Sequence, residues 1–294
     1  MSNLIQPGET LRVLVFGAHP DDCDVSMGGT VLRYVQAGAR VQFVSLTNGN
    51  KGHQSILPVA LAKRRQDEAE AAAAIFGVEK YTILSHEDCE LTADLATRRQ
   101  VTTLIRAFAP HLVFSPRLCD YHPDHRATAQ LIQDASYIVN VPHWCQNAPI
   151  RGVTPVIYFV RDSFRYPREL RPDVLVPIDE QLDILLTALC CHESQFFEWL
   201  PHDKGIREVP DADHPEERKA FIRKYWLDVR KQYDRNRFFS CLQERFGEAA
   251  KAIGHVDAFE LSEYGNQPTE EDMEFLFPFP VYRRETWKTT GQRS

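Results

Sequence analysis

A turn between a predicted strand and a predicted helix carries one histidine and several aspartates. The apolar residues 13–16 predict a buried strand, and four polar residues follow it: His19, Asp21, Asp22 and Asp24. Ligands of open α/β sheets bind at the carboxyl ends of strands, where such turns lie. So many carboxylates close together in one turn repel one another unless a cation neutralises them. Histidine and aspartate are suitable ligands for zinc. The alternative is that the aspartates cap a helix and the histidine lies in the core.

A second cluster has the same arrangement. Residues 112–115 predict a buried strand, and a polar loop with His122 and His125 leads from it into another predicted helix. The two histidines are three residues apart, as are His19 and Asp22 in the first turn. If the strands are parallel, both loops emerge at one edge of the sheet.

Together the two clusters could bind and use a metal ion. Two histidines and one carboxylate leave an open coordination position, which is typical of a catalytic zinc site rather than a closed structural one. Water activated there requires a general base, and Asp21 lies next to a ligand. A histidine that is not a ligand could stabilise an oxyanion or protonate a leaving group. This set predicts metal-assisted hydrolysis of an amide or ester.

The elements that must position these residues alternate between strand and helix. Predicted strands cover residues 12–18, 40–47, 81–84, 112–115, 154–160 and 173–178. Predicted helices cover residues 24–37, 58–76, 92–108, 126–138 and 179–191. The pattern predicts a single α/β domain over residues 1–294, with a Rossmann-like, mainly parallel sheet flanked by helices. A charged helical insertion is expected at about 197–246 in the C-terminal third, and a loop-like tail at about 265–294.

Composition excludes several classes of function. The chain has 294 residues and a net charge of −7, which argues against a nucleic-acid partner. No apolar run is long enough to span a membrane, and neither a GxGxxG nor a P-loop motif is present. The seven cysteines lack disulfide-like spacing, and the first residues lack the apolar segment of a signal peptide. We therefore expect a cytoplasmic protein. The sequence leaves open whether identical chains associate into a homo-oligomer.

The two clusters resemble the motifs of a known family. Ala-His-Pro-Asp-Asp at residues 18–22 and His-Pro-Asp-His at residues 122–125 are similar to those of the PIG-L/LmbE-type zinc-dependent N-acetyl-sugar deacetylases. Weaker similarities lie at residues 47–52, 65–68, 192–195 and 258–259, so the resemblance covers most of the chain. Asp24 stands where the family usually has glutamate, which leaves the role of that position open.

The resemblance implies specific roles. It assigns one Zn²⁺ per chain to three ligands, His19, Asp22 and His125, although iron or cobalt could occupy the same ligands. It makes Asp21 the general base and His122 the oxyanion partner or acid. The resemblance also implies that Asp124 orients a histidine and that His192 contacts the substrate carbonyl. It further implies that Arg65 and Asn48 contact substrate or fix a loop.

The expected function is therefore zinc-dependent removal of an acetyl group from an N-acetylamino sugar, such as an N-acetylglucosaminyl conjugate, by metal-activated water. Two alternatives remain: an amidase acting on a thiol-sugar conjugate, and a non-catalytic sugar-binding protein on the same fold. The presence of Asp21 beside all three ligands argues against the second, because a binding protein needs no general base. The sequence does not identify the aglycone.

Overall fold

A computed structural model describes residue 4 and residues 8–150 and 152–284 of the chain. Its centre is one mixed sheet with the strand order β3-β2-β1-β4-β5-β7-β6-β8. The strands are β1 (Arg12–Gly17), β2 (Arg40–Thr47), β3 (Lys80–His86), β4 (Leu112–Ser115), β5 (Val156–Val160), β6 (Val174–Pro177), β7 (Val256–Gly265) and β8 (Tyr282–Arg283). Strands β1 to β5 pair in parallel, whereas β7 is antiparallel to β5 and β6, and β8 is antiparallel to β6. The predicted α/β fold with a mainly parallel sheet is confirmed.

Helices cover both faces of this sheet. They are α1 (Asp22–Gln36), α2 (Pro58–Phe76), α3 (Leu95–Phe108), α4 (Pro123–Ile138), α5 (Leu182–Leu189), α6 (Leu200–Asp203), α7 (Pro215–Ile222), α8 (Tyr233–Arg237), α9 (Phe239–Phe246) and α10 (Glu270–Leu276). Alternate residues of β1 enter different cores, because strand side chains alternate between faces. Val13 and Val15 pack with α1, α2 and α5, while Leu14 and Phe16 pack with α3 and α4. No described helix is both long and apolar enough to cross a bilayer.

Two glycines let α1 pack closely on its neighbours. A Cβ atom on Gly28 would lie 2.6 Å from a methyl group of Leu185, and one on Gly29 would lie 2.7 Å from the Ile178 side chain. Both approaches are too close for a real Cβ atom, so these positions require glycine for packing on the core.

The predicted helical insertion is helical in the structure. A π-helical segment (Ser194–Trp199) runs into α6, and a second one (Arg223–Gln232) joins α7 to α8. The apolar residues Phe221, Trp226 and Leu227 belong to the main core, so one face of the insertion packs on the domain. Its charged residues lie largely on the other face, as an amphipathic helix requires.

The prediction of a loop-like tail is wrong for the described residues. Helix α10 begins at a capping box in which Thr269 accepts a hydrogen bond from the Asp272 backbone and the Asp272 carboxylate accepts one from the Thr269 backbone. Met273 and Leu276 lie on the buried apolar face of this helix, and strand β8 extends the sheet. The remaining part of the predicted tail, residues 285–294, lies outside the described residues.

Candidate active site

The two predicted clusters meet at the carboxyl edge of the parallel strands, around a cavity of about 490 Å³. The turn after β1 and the loop after β4 contribute His19, Asp21, Asp22, His122 and His125 to its lining. Loops after β2, β3 and β5 contribute further residues, because all five parallel strands end at this edge. The sheet topology therefore brings residues that are distant in sequence into one cavity.

Three of the lining residues form a compact ligand set. The Asp22 Oδ2 atom lies 3.4 Å from His19 Nδ1 and 3.3 Å from His125 Nε2, and the two histidine nitrogens lie 3.3 Å apart. These are the edges expected for a tetrahedral site whose ligand bonds are about 2.0–2.1 Å long, as for zinc. The atoms thus fit one small divalent cation with an open fourth position.

The turn itself holds the Asp22 carboxylate in place. Its Oδ2 atom accepts hydrogen bonds of 2.8 Å from the backbone N–H groups of Ala18 and His19. Burial raises the pKa of Asp22, but the positive charges and hydrogen bonds of His125 and His19 outweigh it, so the pKa lies well below its usual value. The carboxylate is therefore ionised and able to bind a cation.

Carboxylates behind both histidines orient their rings. Asp120 Oδ1 lies 2.9 Å from His125 Nδ1, on the side of the ring opposite the ligand atom. Burial lowers the pKa of His125, but Asp22 and Asp120 raise it to about 10. On His19, the Nε2 atom lies 3.2 Å from Asp88 Oδ1 and 3.4 Å from Asp124 Oδ2. Such carboxylate contacts fix ring orientation and increase ligand basicity.

The structure brings Asp124 to a histidine, as the resemblance implied. Its carboxylate also accepts hydrogen bonds from the backbone of Cys89 at 2.7 Å and of Leu91 at 3.2 Å, which ties the loop after β3 to helix α4. Sequence reasoning missed Asp88 and Asp120. Asp88 ends a polar stretch after a predicted strand and Asp120 lies two residues before His122, so both positions carried a pattern that could have identified them.

Asp21 lies beside this ligand set and contacts a buried cation. Its Oδ1 atom is 3.0 Å from Nη2 of Arg65, whose side chain is only 3% exposed. Asp21 therefore points to a guanidinium while it lines the cavity. Glu68, three residues further along α2, has other partners: it accepts hydrogen bonds from the backbone and hydroxyl of Ser194 at 2.8 and 2.6 Å.

His122 begins helix α4 and lies against His19, with ring centroids 4.5 Å apart. Its Nδ1 atom accepts a hydrogen bond of 3.2 Å from the Asp124 backbone. Burial lowers its pKa first, and the positive charges of His19 and His125 lower it further. The ring is therefore neutral at pH 7 with its proton on Nε2, which makes it a hydrogen-bond donor.

Asn48 fixes a loop and does not line the cavity. Its side-chain oxygen accepts a hydrogen bond of 3.1 Å from the Asn50 backbone. The next residue, Gly49, has a φ of +65°, and a Cβ atom there would lie 3.2 Å from the guanidinium carbon of Arg65. This loop therefore packs against Arg65. Of the two roles implied for Asn48, substrate contact and fixing a loop, these contacts favour the second.

The structure places His192 away from the cavity, where the resemblance implied a contact with the substrate carbonyl. His192 has no exposed surface and does not line the cavity. Its Nε2 atom lies 3.0 Å from Oδ1 of Asp24, whose second oxygen accepts a hydrogen bond of 3.1 Å from the Tyr81 hydroxyl. The aspartate in the usual glutamate position thus belongs to a buried network beneath the turn.

The helical insertion contributes one wall of the cavity. Trp199 and Leu200 come from its first part, and Trp226 and Arg230 come from the second π-helical segment. Asp203 of α6 lines the cavity as well, so the insertion is in place to contact a substrate.

A family model agrees with the motifs. The PIG-L model, described as GlcNAc-PI de-N-acetylase, matches residues 14–136, which include both histidine clusters. A diacetylchitobiose deacetylase of Thermococcus kodakarensis is 32% identical over 206 residues, which cover 66% of this chain and 76% of that protein.

Two solved structures are similar in fold. N,N′-diacetylchitobiose deacetylase from Pyrococcus horikoshii has a TM-score of 0.64 and 24% identity, with 88% of each chain covered. GalB, the 4-carboxy-2-hydroxymuconate hydratase from Pseudomonas putida KT2440, has a TM-score of 0.66 and 21% identity, with 89% of this chain and 99% of that chain covered. Because a deacetylase and a hydratase share the fold, the site has to carry the argument about function.

Proposed function

The chain belongs to the PIG-L family of de-N-acetylases, and from this premise we propose that it is a metal-dependent hydrolase that removes the acetyl group from an N-acetylglucosamine-containing substrate. One observation carries the proposal: three ligand atoms lie 3.3–3.4 Å from one another beside a carboxylate that is not a ligand. The name of the Thermococcus relative supports the choice of an N-acetylated amino sugar as the substrate class.

His19, Asp22 and His125 would hold the metal, and zinc suits this donor set of two imidazoles and one carboxylate. When bound, the metal supplies positive charge that lowers the pKa of water and polarises the acetyl carbonyl. Asp88, Asp120 and Asp124 keep the imidazoles in the orientation that binding requires.

Asp21 would act as the general base. It accepts a proton from the attacking water as the new C–O bond forms, and it returns this proton to the amine as the C–N bond breaks. The products are acetate and the free amino sugar. Arg65 holds one oxygen of the carboxylate through its 3.0 Å contact, so the second oxygen of Asp21 would take the proton.

His122 would stabilise the negative charge that develops on the acetyl oxygen. Its neutral ring carries the Nε2 proton because Nδ1 is occupied by the backbone hydrogen bond from Asp124. One such donor contributes about 10²–10³-fold to the rate of acyl-transfer reactions.

The proposed location is the cytoplasm. All seven cysteines are free in the structure, and free thiols persist in a reducing compartment.

The decisive experiment separates loss of the base from loss of the metal. We expect Asp21→Asn to fold and retain about one zinc per chain, while acetate release from N,N′-diacetylchitobiose falls about 10²–10⁴-fold. Asp22→Ala is expected to lose metal and activity together. The exposed Asp67→Asn on α2 is the matched control, since it removes a carboxylate that does not line the cavity. Near-normal turnover by zinc-loaded Asp21→Asn would refute the assignment of the base.

A further inference from the structure

Two arginines outside the proposed catalytic machinery line the same cavity. Arg161 follows β5, and Arg230 belongs to the second π-helical segment of the insertion. They come from segments far apart in sequence, and neither lies in a motif that the resemblance covers.

Arg230 differs from the other cations of the cavity lining in its lack of a partner. Lys51 pairs with Glu87 at 3.1 Å, Arg65 pairs with Asp21 at 3.0 Å, and Arg117 donates to Asp162. Within the described ranges, the Arg230 side chain makes no ion pair or hydrogen bond, and the residue is exposed. An accessible guanidinium at a cavity surface is free to bind an anion.

Arg161 adds a second positive charge to this wall. Its Nε atom lies 2.7 Å from Oδ2 of Asp234, whose side chain is 1% exposed. The charges of Lys231 and Arg237 also act on that carboxylate, so one acid faces several cations. Asp203 lines the cavity as well, and it forms no ion pair with Arg161 or Arg230. Lys231 and Arg237 have carboxylate partners of their own, Asp257 and Glu169, so Arg230 is the guanidinium of this wall that has no carboxylate partner among the described residues.

Buried contacts fix the backbone that directly follows Arg230. The Lys231 ammonium group contacts Asp257 Oδ1 at 2.5 Å and the Ser26 carbonyl at 2.7 Å. Asp257 in turn accepts hydrogen bonds from Thr30 of helix α1. Because this anchor and the Asp234–Arg161 pair hold the segment on the C-terminal side of Arg230, little backbone freedom is lost when a ligand binds there.

We propose that Arg230, together with Arg161, forms a subsite for an anionic group, a carboxylate or a phosphate, on the part of the substrate beyond its acetamido sugar. This inference rests on the proposed function. Guanidinium groups suit both anions, since they donate two parallel hydrogen bonds to a pair of oxygens. The surrounding cavity wall partly desolvates the exposed Arg230 guanidinium and lowers its pKa, and the charge of Arg161 lowers it further, against the opposite effect of Asp21 and Asp22. A bound anion would relieve the repulsion between the two guanidinium groups.

The test compares three glycosides of N-acetylglucosamine that differ only in charge: the methyl glycoside, the carboxymethyl glycoside and the 1-phosphate. For the zinc-loaded wild-type protein we expect a higher kcat/KM on at least one anionic compound than on the methyl glycoside. The carboxymethyl and phosphate arms identify which anion the subsite takes. Equal kcat/KM values for all three compounds would overturn the proposal.

Arg230→Met is expected to lower the anionic-to-neutral ratio of kcat/KM about 10- to 100-fold, the usual range for a lost hydrogen bond to a charged group. Arg230→Lys should restore part of the ratio, because it keeps the charge without the planar fork. Lys224→Met is the matched control: it removes an exposed cation of the same segment that does not line the cavity. An unchanged ratio in folded Arg230→Met would overturn the proposal.

A binding measurement separates this inference from the proposed function. Calorimetry of the three glycosides with the wild-type protein and with Arg230→Met reports affinity without requiring turnover. If no glycoside releases acetate but the anionic ones bind more weakly to Arg230→Met, the deacetylase proposal fails and the subsite stands. If acetate is released but the affinity does not depend on the charge of the glycoside, the deacetylase proposal stands and the subsite proposal fails.

Discussion

Removal of Asp120 tests whether the residues behind the ligands control metal binding. Asp120 Oδ1 is 2.9 Å from His125 Nδ1 and accepts a hydrogen bond of 3.0 Å from the His122 backbone. One carboxylate oxygen therefore orients a ligand ring and also shapes the loop that leads into α4. Asp120→Ala removes both contacts and leaves Asp22 and His19 in place.

The expected loss is a 10- to 100-fold decrease in zinc affinity, or about 1.4–2.7 kcal/mol, the usual effect of deleting a group that orients a ligand. His125 would keep its place in the chain, but its ring would be free to rotate away from the site. We expect Asp120→Asn to retain more affinity than Asp120→Ala, because its side-chain oxygen can still accept from the His125 ring and from the His122 backbone.

Zinc affinity is measured by competition with a chromophoric chelator, on variants whose fold is checked by circular dichroism. Asp183→Ala serves as the control, since Asp183 is 79% exposed and does not line the cavity. Wild-type zinc affinity in folded Asp120→Ala would show that the His125 orientation does not depend on this carboxylate, and the argument from the residues behind the ligands would fail.

Three further outcomes follow from the structure. Gly29→Ala should lower the free energy of unfolding by about 1–3 kcal/mol in urea titrations, because its Cβ would overlap the Ile178 side chain. Burial lowers the pKa of His255, but the carboxylates of Asp179 and Asp228 raise it by more, so the pKa lies above its usual value. The ion pairs of the protonated ring therefore stabilise the fold below about pH 6.5, and this stabilisation is lost as the pH rises through the folded-state pKa. His255→Gln should therefore lower the free energy of unfolding by up to about 1 kcal/mol at pH 6 and by less at pH 9. Trp199→Ala should raise KM more than it lowers kcat in acetate-release assays, since Trp199 lines the cavity without contacting the ligand set.

Local patterns were sufficient for much of the fold. Strand β2 and helix α2 have the bounds that the sequence predicts. A stretch rich in apolar residues that ends before Asn48 and Gly49 marks the strand, and Gly77 marks the end of the helix. The strand β7 was missed because Asp257 and Glu260 interrupt its apolar residues. Their partners, Lys231 for Asp257 and Arg168 for Glu260, lie far away in sequence, so only the folded chain shows that these acids are neutralised.

The candidate ligands were accessible to sequence reasoning for a physical reason. Each pair of residues lies within one turn, where a spacing of three residues largely determines the distance between side chains. The residues behind them depend instead on which loops meet at the sheet edge. Asp88 reaches His19 because β3 and β1 end at the same edge. Arg230 reaches the cavity because the next residue, the buried Lys231, anchors its segment to Asp257, which is distant in sequence.

The three aspartates of the first turn have different partners in the structure. So many carboxylates in one turn require cations, and the fold supplies two of them from its own residues. Arg65 contacts Asp21, and His192 contacts Asp24, each from a separate part of the chain. Asp22 is the acid whose oxygen lies within 3.4 Å of both candidate histidine ligands. Because Asp21 and Asp24 already have protein cations, we expect metal analysis to find one ion per chain, bound through Asp22.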